Sequence, residues 1–128
     1  MRRLVLLTIV VLTATGLPVA FGWLPPPRPG WSKAIVLLHL WGGVFFLVIF
    51  PLYAWDHISA NRRWLRRLAG VTVSGAVQAL SGALLIGSGV LLLLYGDQVW
   101  QALRAWHHEL TYPLLAALAV HYLSRKSG

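Results

Sequence analysis

The sequence predicts an all-helical integral membrane protein, a four-helix up-and-down bundle, and three observations carry that prediction. Only 11% of its 128 residues are charged while 58% are hydrophobic, whereas a soluble domain draws about a quarter of its residues from the charged set. The apolar residues gather into four runs, each near the roughly 20 residues that a helix needs to cross a bilayer. The basic residues sit in short clusters between those runs, the pattern by which membrane topology is specified.

The first run, residues 4–24, follows Met1-Arg2-Arg3 as the core of a secretory signal would. Its apolar stretch is long for a signal, so it is read as a span. The Pro25–Gly30 segment, PPPRPG, forms a stiff link to the second run, 34–55, which ends near the Arg-rich stretch SANRRWLRR. The third run, 68–95, is the longest and has length to spare for tilting. A turn at Tyr95-Gly96-Asp97-Gln98 leads to the fourth and least apolar run, 99–123. Such short connections leave no room for an extramembrane domain, so residues 1–128 are expected to form a single membrane domain.

Arg2, Arg3, Arg62, Arg63, Arg66, Arg67, Arg125 and Lys126 fall on one side of such a bundle, and Arg28, Lys33 and Arg104 on the other. Positive charge favours the cytoplasmic side, so both termini are expected there, and the second and fourth spans run in the same direction, inward. The net charge of +8 is thus accounted for by topology and lipid head groups, without nucleic acid as a partner. The absence of cysteine excludes disulfides, thiolate metal sites, iron–sulfur clusters and covalently attached haem.

All five histidines lie on the two inward-running spans: His39 and His57 on the second, His107, His108 and His121 on the fourth. At 100° per residue, His39 and His57 share one face, and His107 and His121 differ by about 40°. His108 points about 100° away from His107, so His107 is the expected outer ligand and His108 a neighbour. An ionisable group inside a membrane is costly and marks function by default. One imidazole per leaflet on each of two parallel helices suits two six-coordinate haem irons. The pairs would be His39 with His107 near the outer face, and His57 with His121 near the inner face.

The third span repeats a Ser-Gly pair every seven residues: Ser74-Gly75, Ser81-Gly82 and Ser88-Gly89. Gly75, Gly82 and Gly89 form a flat stripe that admits either another helix or a haem macrocycle, and Gly43 offers the same two readings. Lys33 and Arg104 outside, and Arg125 inside, are candidate partners for haem propionates. The other inner arginines are better explained by topology and anionic lipid. Phe46 and Phe50 lie on the histidine stripe between the two levels, where core filling is the default. The interfacial tryptophans serve as helix anchors.

On these residues the chain resembles small bacterial dihaem cytochromes b, the membrane subunits of formate dehydrogenase, hydrogenase and thiosulfate reductase complexes. The resemblance covers residues 39–121, and the fourteen-residue interval from His107 to His121 is its best match. The interval from His39 to His57 is four residues longer, and the first span has no histidine. The resemblance implies two haem b groups, electron transfer across a bacterial inner membrane, the quinone pool as a partner, and an extracytoplasmic redox protein within a larger complex. It assigns the chain no catalytic step of its own. A quinone would need a polar group at an apolar slot, for which Tyr53, Asp56 and Arg62, or His108, Glu109 and Tyr112, are candidates.

Two alternatives stay open: a single-haem, quinone-binding anchor subunit, and a haem-free assembly subunit or a proton or metal-ion pathway. Transport is the weaker, because Asp56, Asp97 and Glu109 all lie near the surfaces rather than at the midplane.

Overall fold

The computed structural model describes residues 1–21, 31–62, 70–95 and 101–126, with side chains 31, 32, 125 and 126 excepted. The PPPRPG link, Arg28, Arg63, Arg66, Arg67, the turn at Gly96-Asp97-Gln98 and the side chain of Arg125 lie outside the described residues. Among the described residues all regular structure is helical: α1 (Arg2–Ala20), α2 (Trp31–Ala60), α3 (Gly70–Tyr95), α4 (Gln101–Glu109) and α5 (Thr111–Lys126). Three of these, α1, α2 and α3, are long and apolar enough to cross a membrane.

The helices manage their polar residues internally, as a chain in hydrocarbon must. In α1, Thr8 donates to the Leu4 carbonyl at 2.8 Å and Thr15 to the Val11 carbonyl at 2.7 Å. Ser88 in α3 donates to the Leu84 carbonyl at 2.7 Å. Helix α2 has 30 residues, about 45 Å at 1.5 Å per residue, and continues through Pro51. It closes at Asn61, whose side-chain amide donates to the His57 carbonyl at 2.7 Å while its backbone N–H bonds the Ile58 carbonyl. Orphan carbonyls at a helix end need such partners.

The expected fourth span is instead two helices, α4 and α5, separated by a turn at Leu110. Proline explains the break. Pro113 has no N–H to offer the Glu109 carbonyl and its ring crowds that carbonyl. The neighbouring bonds persist, Leu110 N–H to Trp106 at 2.9 Å and Leu114 N–H to Leu110 at 3.4 Å, so the interruption is local.

The chain forms two compact units, Met1–Tyr53 and Ala54–Gly128, with the boundary inside α2. In the first, Val5 and Ile9 of α1 and Phe46 and Phe50 of α2 are buried. The two phenylalanine rings stack with centroids 4.8 Å apart, consistent with the packing role expected for them. In the second, α3 packs against α4 and α5, and Leu103, Leu114 and Ala117 are buried. Ser74, Ser81, Ser88 and Gly82 supply the small buried face of α3. Gln78 crosses between helices, donating from Nε2 to the Ala117 carbonyl at 3.0 Å.

Leucine, valine and tryptophan are prominent among the exposed positions, including Leu80, Leu94, Trp41, Trp55 and Trp106, while the hydroxyls of Thr8, Thr15, Ser74, Ser81 and Ser88 share the interior with a few apolar side chains. So many exposed apolar side chains beside buried hydroxyls fit membrane helices, whose close approach is aided by small residues.

Candidate functional site

Three imidazoles are held in the same way by the helix packed against them. In the first unit, Nδ1 of His39 lies 3.0 Å from the Thr15 hydroxyl and 3.1 Å from the Leu12 carbonyl of α1. In the second, Nδ1 of His107 lies 2.8 Å from the Ser88 hydroxyl. Nδ1 of His121 lies 3.2 Å from the Ser74 hydroxyl and 3.1 Å from the Val71 carbonyl. All the hydroxyls and carbonyls come from α1 or α3, and all meet the δ nitrogen.

Each hydroxyl is followed by a glycine on which the same ring rests. A Cβ added to Gly16 would stand 2.8 Å from Cε1 of His39, one on Gly89 3.3 Å from Cε1 of His107, and one on Gly75 3.6 Å from Cε1 of His121. The hydroxyl fixes one edge of the ring, and the missing side chain lets the adjoining carbon come close to the helix. A Cβ at Gly43 would meet nothing within 4 Å. Gly82 is buried beside Ser81.

The two units share this pattern position by position. Thr8, Thr15 and Gly16 of α1 correspond in spacing to Ser81, Ser88 and Gly89 of α3. His39 and Phe46 of α2 correspond to His107 and Leu114. Thr8, Phe46, Ser81 and Leu114 are all buried. Continuing by one heptad, His121 corresponds to Tyr53, and His57 lies one turn beyond it. This accounts for the longer interval between the histidines of α2.

Within the second unit the structure brings His57 and His121 together, with ring centroids 6.0 Å apart and planes inclined at 68°. Neutral imidazole is a standard ligand of haem iron, and two such rings brought this close could both serve one iron. The chemistry of this donor pair is that of a bis-imidazole iron site. His57 stands on the last turn of α2, where its backbone carbonyl accepts from Asn61, and the ring of His121 on α5 is held by Ser74 and Val71.

His108 has a different partner: its Nε2 lies 3.1 Å from the Tyr112 hydroxyl one turn along, with the two rings edge to face. Lys33, Arg104, Asp56, Arg62 and Glu109 are exposed. Among the described residues, no three histidine, aspartate, glutamate or cysteine side chains cluster as a metal site. A shallow apolar groove of about 390 Å³ lies beside Ser74, between α3 and α5, lined also by Val77, Pro113, Ala117 and Val120.

Sequence reasoning located the histidines and the Ser-Gly heptads but missed that the serine hydroxyls, not only the glycines, address the imidazoles. It also missed Thr15-Gly16. The signal was present: Thr8 and Thr15 repeat the α3 spacing on the first helix.

The sequence matches no known protein family, and neither a curated protein nor a solved structure is significantly similar to it.

Proposed function

We propose that the chain is a dihaem cytochrome b that carries electrons across a bacterial inner membrane. His57 and His121 would hold the inner haem, and His39 and His107 the outer one. The observation that carries the proposal is the juxtaposition of His57 with His121 at 6.0 Å, two neutral imidazoles that could together hold one haem iron. The outer pairing rests on the sequence, through the shared direction and helical phase of the second and fourth spans. A haem b held by two imidazoles supplies reversible one-electron exchange at its iron.

The residues of the chain contribute positioning. Thr15, Ser74 and Ser88 hold the ligand rings by their δ nitrogens, and Gly16, Gly75 and Gly89 admit those rings against the helix. Lys33, Arg104 and Arg125 are the candidate propionate partners. The α4–α5 segment serves as the fourth span of a bundle with both termini cytoplasmic, despite its break. The chain acts as a membrane subunit, passing electrons between quinone and an extracytoplasmic redox protein.

The test is a reduced-minus-oxidised optical spectrum of the purified chain with haem quantified per polypeptide. Two b-type haems are expected. One haem per chain, lost on replacing His121, would make this a single-haem anchor subunit. A chain isolated from haem-replete membranes with none would overturn the proposal.

A further inference from the structure

We infer that Thr15, Ser74 and Ser88 are positioning residues that fix His39, His121 and His107 in the tautomer with the proton on Nδ1, so that Nε2 bears the ligating lone pair and an iron bound there has a lowered reduction potential. The haem in this statement rests on the proposed function; the tautomers do not.

A neutral imidazole carries one proton, and the nitrogen that holds it is the donor. A carbonyl oxygen can only accept, so the approach of Nδ1 to Leu12 O in His39 and to Val71 O in His121, each 3.1 Å, places the proton on Nδ1 in both rings. His107 reaches the same state through Ser88. That hydroxyl has a single proton and lies 2.7 Å from the Leu84 carbonyl and 3.2 Å from the Leu85 carbonyl, both of which can only accept; with its proton on either of them, its oxygen accepts from Nδ1 at 2.8 Å. Thr15 and Ser74 are arranged alike, donating within their own helices to Val11 and Val71 and accepting from the imidazole. Three hydroxyls on two helices thus give one answer.

Two consequences follow from elementary ligand chemistry. The unprotonated nitrogen of each ring is Nε2, which is the one needed to bind a metal. An acceptor on Nδ1–H makes the imidazole a more basic ligand, which favours ferric over ferrous iron and lowers the potential. Removing the acceptor raises it.

The test has two arms on the full chain. In lipid bilayers with ¹⁵N-labelled histidine, His39, His107 and His121 should show a protonated Nδ1 and a non-protonated Nε2. Thr15→Val, Ser74→Ala and Ser88→Ala should each perturb the Nδ1 signal of the one partner ring. Protonated Nε2 on these rings, or spectra indifferent to the replacements, overturns the inference. In redox titrations of the haem-loaded chain, Thr15→Val and Ser88→Ala should raise the same midpoint potential and Ser74→Ala the other, with Thr15→Ser and Ser88→Thr restoring the original values. Unchanged potentials in variants that keep both haems overturn the tuning role. A chain without haem would end the cytochrome reading, and the nitrogen spectra would still decide the tautomers.

Discussion

Ser88 meets His107 across a 2.8 Å hydrogen bond, and two heptads away along α3 and the α4–α5 segment Ser74 meets His121 at 3.2 Å. The relation requires α3 and the α4–α5 segment to keep an antiparallel heptad register through the break at Leu110. Ser81 and Leu114, both buried, occupy the intervening step. A repeat of seven residues keeps one face of each helix in contact, since seven residues make close to two turns. The two imidazoles are therefore placed by the helix–helix interface itself.

The glycines beneath the imidazoles differ in how much room they leave, which predicts a graded series. Gly16→Ala puts a Cβ 2.8 Å from His39 Cε1, too close to be accommodated without moving the ring or α1. Gly89→Ala at 3.3 Å demands a small displacement of His107, and Gly75→Ala at 3.6 Å makes ordinary contact with His121. Haem content per chain should fall in the order Gly75→Ala, Gly89→Ala, Gly16→Ala, with the last losing the outer haem. Equal retention in all three variants would show that the rings do not need this close approach.

Replacing His57 or His121 by leucine should abolish one and the same spectral component, since the two ring centroids lie 6.0 Å apart. His39→Leu and His107→Leu should together remove the other. His108→Leu should leave both, because its Nε2 meets Tyr112 rather than a second imidazole. Low-temperature optical spectra of the five variants check the assignment. Loss of different components from His57→Leu and His121→Leu would refute the inner pairing.

Much of this arrangement is legible in the sequence, and the parts that are not have physical causes. Hydropathy finds the apolar helices because length and composition suffice, and helical phase finds the histidine faces. The division of labour within each Ser-Gly pair is not legible from one helix, because the hydroxyl's partner lies 19 residues away for Ser88 and 47 for Ser74. Thr15-Gly16 was hidden for a related reason: a threonine in an apolar helix ordinarily bonds its own backbone, as Thr15 does, and nothing local shows that its oxygen also serves His39. The break at Leu110 is not legible from Pro113 alone, since α1 and α2 run on through Pro18 and Pro51.

Gln78 is the one glutamine of α3, and its Nε2 donates to the Ala117 carbonyl of α5 at 3.0 Å. Hydrogen bonds between membrane helices contribute about 0.6 kcal/mol on average, rising to about 1.7. Gln78→Leu should therefore lower stability by that amount in a denaturant titration, while haem content stays unchanged. Loss of haem in a stably folded variant would instead assign Gln78 to the ligand site.

Pro113 places the break in α4–α5 between the two histidines that this segment presents to α3. Proline inside a helix costs about 3 kcal/mol through its missing N–H and its clash with the preceding turn, so Pro113→Ala should stabilise the segment by supplying an amide to the Glu109 carbonyl. Hydrogen exchange should slow between Leu110 and Leu114, where the Leu114 bond is now long at 3.4 Å. His107 stands only three residues before the break, so regularising the helix should also change the angle at which its ring approaches Ser88. The expected variant is more stable yet binds the outer haem less completely, with the component assigned to His57 and His121 unaffected. A gain in stability with both spectral components intact would mean that the interface with α3, and not the proline break, sets the bearing of His107.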